Sequence, residues 1–318
     1  MIKIPSISDS LNEKEIIQVI HKRFNKLGPV FFKFVSEWLI GAYSNFKDID
    51  MYMILIYLVN NDFKFYRKNG LIIDYDTFYK DKDLEIEEIK IIKIANDLLM
   101  PKETVRRKVA FLEKKGIISK KGRKFFIDRT AYATVQPKTT LKNISNLISV
   151  ASKILKEDNK LENLYSPEDI IKVIKKNFSF CWYQVYKFIF SYYFRWKKEI
   201  PDFEVICIGL LIMNNAATNR DFIVQNINLK KWQEKISTAD KVGLNAMSIS
   251  DITGIPRPTV VRKLKNLIDR GYVGINHKKL VFMSFENKLF KKAKIKQKKN
   301  IEEMSALIFR ILNQISIT

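Results

Sequence analysis

Two arginines offer the clearest chemistry in this sequence. Arg107 closes the tetrapeptide Thr104-Val105-Arg106-Arg107, and Arg262 closes Thr259-Val260-Val261-Arg262. A guanidinium is planar, permanently charged and carries paired N–H donors, so it suits bidentate contact with guanine O6 and N7 or with a phosphate. Its reach depends on the helix that carries it. At 100° per residue, Val105, Val109 and Leu112 fall within about 60° of one another, and Arg107 lies about 200° from Val105. The same count groups Val260, Leu264 and Leu267 and turns Arg262 outward with Lys265. Small Ala110, beside Arg107, leaves room for a groove wall.

The first helical turn adds Lys102, Glu103 and Arg106 in one segment and Arg257, Pro258 and Val261 in the other, where a recognition helix touches base edges. Thr104 and Thr259 are open to two uses, a phosphate or their own backbone. Gly116 and Gly271 suit left-handed helix ends. A hairpin is expected after each glycine. The first runs over about 117–128 and carries Lys120, Lys121, Arg123 and Lys124 at its tip; the second runs over about 272–283 with His277, Lys278 and Lys279. Basic tips suit contact with the phosphate backbone, which sets register more than sequence. His277 has no carboxylate or nucleophile pattern beside it and reads as a phosphate or groove contact. Lys291–Lys299 is a further basic run, suited either to flanking phosphates or to the solvated start of the last helix.

These segments are two copies of one pattern. Ile91–Ile127 aligns without gaps on Ala246–Phe282 at an offset of 155 residues, pairing Pro101 with Pro256, Lys108 with Lys263 and Gly116 with Gly271. Upstream, Glu15–Phe24 matches Asp169–Phe178 at 154, and the register continues through Asp48 on Asp202 and Asn60-Asn61 on Asn214-Asn215. Downstream, Lys142-Asn143-Ile144 matches Lys299-Asn300-Ile301 at 157. A duplicated unit follows, with domains expected at 1–157 and 158–318. Within a unit, helices are expected near its start, over about Val30–Tyr43 with Pro29 in the first turn, over about Ile49–Val59, and at its end (about 141–157 or 298–315). Two inserts, Asp62–Glu87 and Ala216–Leu244, do not resemble each other.

The expected fold is mainly α: two winged helix-turn-helix units in tandem, each flanked by N- and C-terminal helices that form a pseudo-two-fold helical body. The order of elements, with T-V-x-R followed by L-x-x-x-G, resembles the MarR-type family of winged-helix transcription regulators. That resemblance implies homodimers joined through terminal helices, two winged helices on successive major grooves, and often a small effector held beside them. Here one chain carries both halves. It implies a monomer acting as a pseudo-dimer, with higher oligomers open.

Composition agrees with a polyanionic partner. The chain has 318 residues, 57 Lys+Arg against 34 Asp+Glu, and a net charge of +23. Its 47% hydrophobic content excludes a disordered tail. Cys181 and Cys207 stand at no metal-ligand spacing and read as buried free thiols. Phe178–Trp196 is crowded with aromatics but contains Gln184 and Lys187, so it reads as a buried helix, not a membrane span. The opening residues lack the apolar core of a signal peptide, and a cytoplasmic, nucleoid-associated protein is expected. Phosphate-binding glycine loops, H-E-x-x-H and zinc-spaced cysteine pairs are all missing. No enzyme, metal or cofactor is therefore expected. The expected partner is double-stranded DNA. Trp38, Tyr43, Tyr52 and Tyr57, or Trp182, Tyr186, Tyr192 and Trp196, are the candidate lining of an effector pocket. The leading reading is a sequence-specific transcriptional regulator; the alternatives are a replication initiator of plasmid or phage type and a low-specificity architectural protein.

Overall fold

The computed structural model describes residues 11–80, 83–87, 89–122, 124–128, 137–219, 227–236, 243–284 and 287–317. It is mainly helical. In chain order the elements are α1 (Glu13–Lys22), α2 (Phe24–Phe46), α3 (Ile49–Lys68), α4 (Tyr75–Lys80), β1 (Asp83–Glu87), α5 (Ile91–Asp97), α6 (Lys102–Lys114), β2 (Ile118–Lys121), β3 (Lys124–Asp128) and α7 (Lys138–Glu157). They continue with α8 (Pro167–Lys176), α9 (Phe178–Lys197), α10 (Phe203–Ala217), α11 (Leu229–Ile236), α12 (Ala246–Thr253), α13 (Arg257–Asp269), β4 (Val273–Ile275), β5 (Val281–Met283) and α14 (Asn287–Ile317).

Two compact units emerge, and they cut across the division at 157/158 that the repeat suggests. The smaller takes Asn45–Lys138 and Lys172–Pro201; the larger takes Met1–Ser44, Thr139–Ile171 and Asp202–Thr318. Each therefore draws segments from both halves of the sequence.

In the smaller unit, α3 is apolar nearly all round and buried from Met51 to Val59, which explains its packing against α9 on one side and α6 on another. It runs well past the expected end at Val59, to Lys68, and so absorbs the start of the first insert. Further along, the same insert contributes α4 and β1. β1 pairs antiparallel with β3, and β3 with β2, in the order β1-β3-β2. Leu84, Ile86, Phe125 and Ile127 are buried, so alternate residues of β1 and β3 share one inward face, which Ile118 of β2 joins. α4 lays Tyr75, Phe78 and Tyr79 around Phe178, with ring centroids 5.1, 5.3 and 5.8 Å away.

In the larger unit, α10, α12 and α13 pack together, and β4 pairs with β5. Beside β5, Leu244 makes an antiparallel bridge to Val281. The second insert contributes α11, whose Trp232 meets Phe24 at 4.8 Å and stacks on Phe32 at 5.5 Å. Phe24 and Phe178 occupy the same place in the repeat. Dissimilar inserts thus do one job, placing aromatic rings on the same repeated phenylalanine.

Pro29 corrects an expectation. The helix begins at Phe24, not near Val30, and Pro29 lies inside it. Interior proline costs about 3 kcal/mol. Burial of Phe24, Leu27 and Phe31 at 0% exposure opposes that cost, at about 1.5–3 kcal/mol for each large apolar side chain. Gly28 makes the packing possible, because a Cβ there would stand 2.9 Å from Phe24 Cε1.

Among the described residues no helix is long and apolar enough to cross a membrane. α9, the most membrane-like stretch of the sequence, buries Trp182, Tyr186, Tyr192 and Tyr193 in the smaller unit's core.

Candidate nucleic-acid interface

Each unit presents a short helix, a turn and a second helix that carries one of the two arginines. In the smaller unit these are α5 and α6; in the larger, α12 and α13. The turns are anchored by buried apolar residues at matching positions, Met100 and Ile255. Pro101 and Pro256 precede the second helices, and their carbonyls accept the N–H groups of Val105 and Val260 at 3.1 and 3.0 Å. The buried stripes fall where the periodicity puts them. Val105, Val109 and Leu112 are buried in α6, as are Val260, Leu264 and Leu267 in α13.

Arg107 and Arg262 are exposed, and neither has an ion-pair partner among the described residues. Lys102 and Arg257 are exposed in the first turns, and Lys265 further along α13. Thr104 and Thr259 are half-buried on the flank. Glu103 and Arg106 are both exposed and engage each other at 2.7 Å. Val261, which takes the place of Arg106 in α13, is exposed.

Each second helix is followed by its hairpin. Gly116 and Gly271 make the joint in left-handed conformations, φ 70° and 73°. On the first hairpin Lys120 and Lys121 are exposed, Lys124 pairs with Glu85 of β1, and Arg123 lies outside the described residues. On the second, His277, Lys278 and Lys279 are exposed. The tip is tied by Asn276, whose Oδ1 accepts the N–H groups of Lys278 and Leu280, each at 3.0 Å. The Lys291–Lys299 run is helical, forming part of the first half of α14, with Lys291, Lys292, Lys298 and Lys299 exposed.

The residues that hold these helices in place escaped the sequence reading. Lys108 of α6 ion-pairs with Asp48, and Lys263 of α13 with Asp202. Both aspartates also begin a helix. Asp48 accepts the Met51 N–H at 2.9 Å at the start of α3; Asp202 accepts those of Glu204 and Val205 at 2.8 and 3.2 Å at the start of α10. One carboxylate therefore caps the central helix and fixes the helix that bears the arginine. Glu204 adds a second carboxylate to Lys263 at 2.9 Å. Burial works against the charged form of Lys263, but hydrogen bonds to Asp202 and Glu204 prevail and hold its pKa above the ordinary lysine value. The signal was present in the sequence: both members of the pair repeat, at offsets of 154 and 155.

The residues considered for an effector pocket are core. Trp38, Tyr43, Tyr52, Tyr57, Trp182, Tyr186 and Tyr192 are buried, and Trp196 is half-buried. Cys181 and Cys207 are buried free thiols, each pushed up to about 12 by burial, which keeps them protonated and unreactive. No group of His, Cys, Asp and Glu fit to hold a metal occurs among the described residues.

No protein-family model, curated protein or solved structure matches this chain.

Proposed function

We propose that the chain is a sequence-specific, double-stranded DNA-binding transcriptional regulator, built as a single-chain pseudo-dimer of two winged helix-turn-helix units like those of MarR-type regulators. One observation carries this reading. Arg107 and Arg262, equivalent in the repeat, both stand exposed and unpaired on helices locked by the same Asp–Lys device, each followed by a hairpin with basic residues. An exposed arginine alone is an ordinary surface charge. Two at one repeated position, on helices whose opposite faces are buried, form matched reading heads. α6 and α13 would enter successive major grooves, and Lys120, Lys121, His277, Lys278 and Lys279 would lie along the phosphates. Binding would require no metal or cofactor.

The test is selection of bound sequences from a random duplex library at roughly physiological salt, which suppresses non-specific phosphate binding. Two inverted half-sites about one helical turn apart are expected. Arg107→Ala and Arg262→Ala should each relax one half of the motif and weaken binding by about 10- to 100-fold. Directly repeated half-sites would instead point to a replication initiator. Salt-sensitive binding without an enriched sequence would leave an architectural role, and absence of binding would end the DNA reading.

A further inference from the structure

The two reading heads differ along one exposed row of their helices. On α13, Arg257, Val261 and Lys265 stand four residues apart and form one exposed row along the helix. Val261 is a branched apolar side chain left 51% exposed between two cations. On α6 the equivalent row is Lys102, Arg106 and Ala110, all exposed. There the middle position is charged and bound to Glu103, and the apolar residue comes one turn later. Each row therefore holds one apolar residue and two cations in a different order. The apolar position moves by four residues, about 6 Å along the helix axis.

In a major groove, thymine alone presents an apolar group, its C5-methyl, and apolar side chains pair with it. Building on the DNA-binding reading above, we propose that Val261 is a specificity-determining residue that packs on a thymine methyl in the half-site read by α13. Arg257 and Lys265 hold flanking phosphates or bases on either side of it. Ala110 takes the corresponding methyl in the other half-site, one helical turn further along its helix. The target is then a pair of unequal half-sites in which a required thymine sits at a different depth in each.

Deoxyuridine differs from thymidine only in lacking that methyl, so it isolates the contact. The selected duplex is remade with each thymine replaced in turn by deoxyuridine, and each is titrated with the full-length protein. The wild type is expected to lose about fourfold in affinity at one thymine of the α13 half-site, the effect of burying one methyl group. Val261→Ser should bind thymine and uracil equally at that position while keeping wild-type discrimination in the other half-site. Val261→Ile should retain the preference. Because Val261 is half-exposed, none of these changes touches the core. Equal wild-type affinity for thymine and uracil at every position overturns the proposal, as does discrimination that survives Val261→Ser. Both results leave sequence-specific binding intact, whereas failure to bind any selected duplex would defeat the DNA reading itself and this proposal with it.

Discussion

Helix α12 starts on Asn245, whose side chain accepts the Ser248 N–H at 2.9 Å, and stops on Gly254 in a left-handed conformation, φ 71°. Helix α5, its counterpart, starts on Lys90, which makes no side-chain cap, and the residue matching Gly254 is Leu99, forced to φ 51°. The larger unit thus fixes α12 by local backbone devices. The smaller unit lacks both and uses tertiary contacts instead. Tyr57 of α3 donates to Asp97 of α5 at 2.6 Å, and strand β1 adds a third strand to the hairpin. At the positions of Tyr57 and Asp97 the larger unit has Leu211 and Ile252. One backbone geometry has two independent solutions, so divergence after duplication is tolerated wherever the lost device has a substitute.

Among the described residues of the smaller unit the shared Asp–Lys device has no such substitute, and the largest effect is expected there. Asp48→Ala removes the cap of α3 and the carboxylate that Lys108 uses, a cost of about 2–3 kcal/mol for a lost cap plus a part-buried cation left alone. Asp202→Ala removes the same two functions, but Glu204 remains 2.9 Å from Lys263, so a cost of about 1–2 kcal/mol is expected. Urea unfolding of the two variants compares them directly. A larger loss for Asp202→Ala than for Asp48→Ala would show that Glu204 does not stand in.

Next comes the left-handed turn. A non-glycine residue in this region is disfavoured by about 1–2 kcal/mol, while Leu99 returns little because its side chain is 45% exposed. Leu99→Gly should therefore stabilise the protein by about 1 kcal/mol, and Gly254→Ala should destabilise it by about the same amount. Thermal unfolding of the two variants reads both signs. A destabilising Leu99→Gly would mean that the leucine side chain contributes more than its exposure suggests.

These contrasts also explain which features the sequence disclosed. The stripes of α6 and α13 and the glycines at 116 and 271 were legible because they obey local rules of helical period and chirality. The pairing of β1 with β3 was not, although Asp-Leu-Glu-Ile-Glu alternates as a strand should: one short alternating stretch names no partner. Nor was the composition of the two units. The segments Glu15–Phe24 and Asp169–Phe178 carry the same apolar face. A duplicated chain offers each core two equivalent faces to bury, and periodicity cannot tell which copy fills which. The role of Lys108 and Lys263 lay between these cases. Lysine on the flank of an amphipathic helix reads as solvated, and only a repeated aspartate about 60 residues upstream marks it as paired.

The Tyr57–Asp97 contact gives the smallest effect and the sharpest reading of how the two units differ. Tyr57→Phe removes one hydrogen bond to a carboxylate and should cost about 1 kcal/mol near neutral pH. Changing both partners to the larger unit's residues, Tyr57→Leu with Asp97→Ile, leaves no polar group unpaired and should recover most of that loss. The pH dependence separates the contact from mere packing. Burial, and then the hydrogen bond and charge of Asp97, raise the Tyr57 phenol above its ordinary value of 10.0. The folded state then keeps a proton that the unfolded chain releases. Its stabilising contribution is complete below that ordinary value and is lost as the pH rises through the folded one. Wild type should lose stability more steeply than Tyr57→Phe as the pH rises above about 10. Parallel curves over that range would mean that the phenol titrates alike in both states and that Asp97 is held by other contacts.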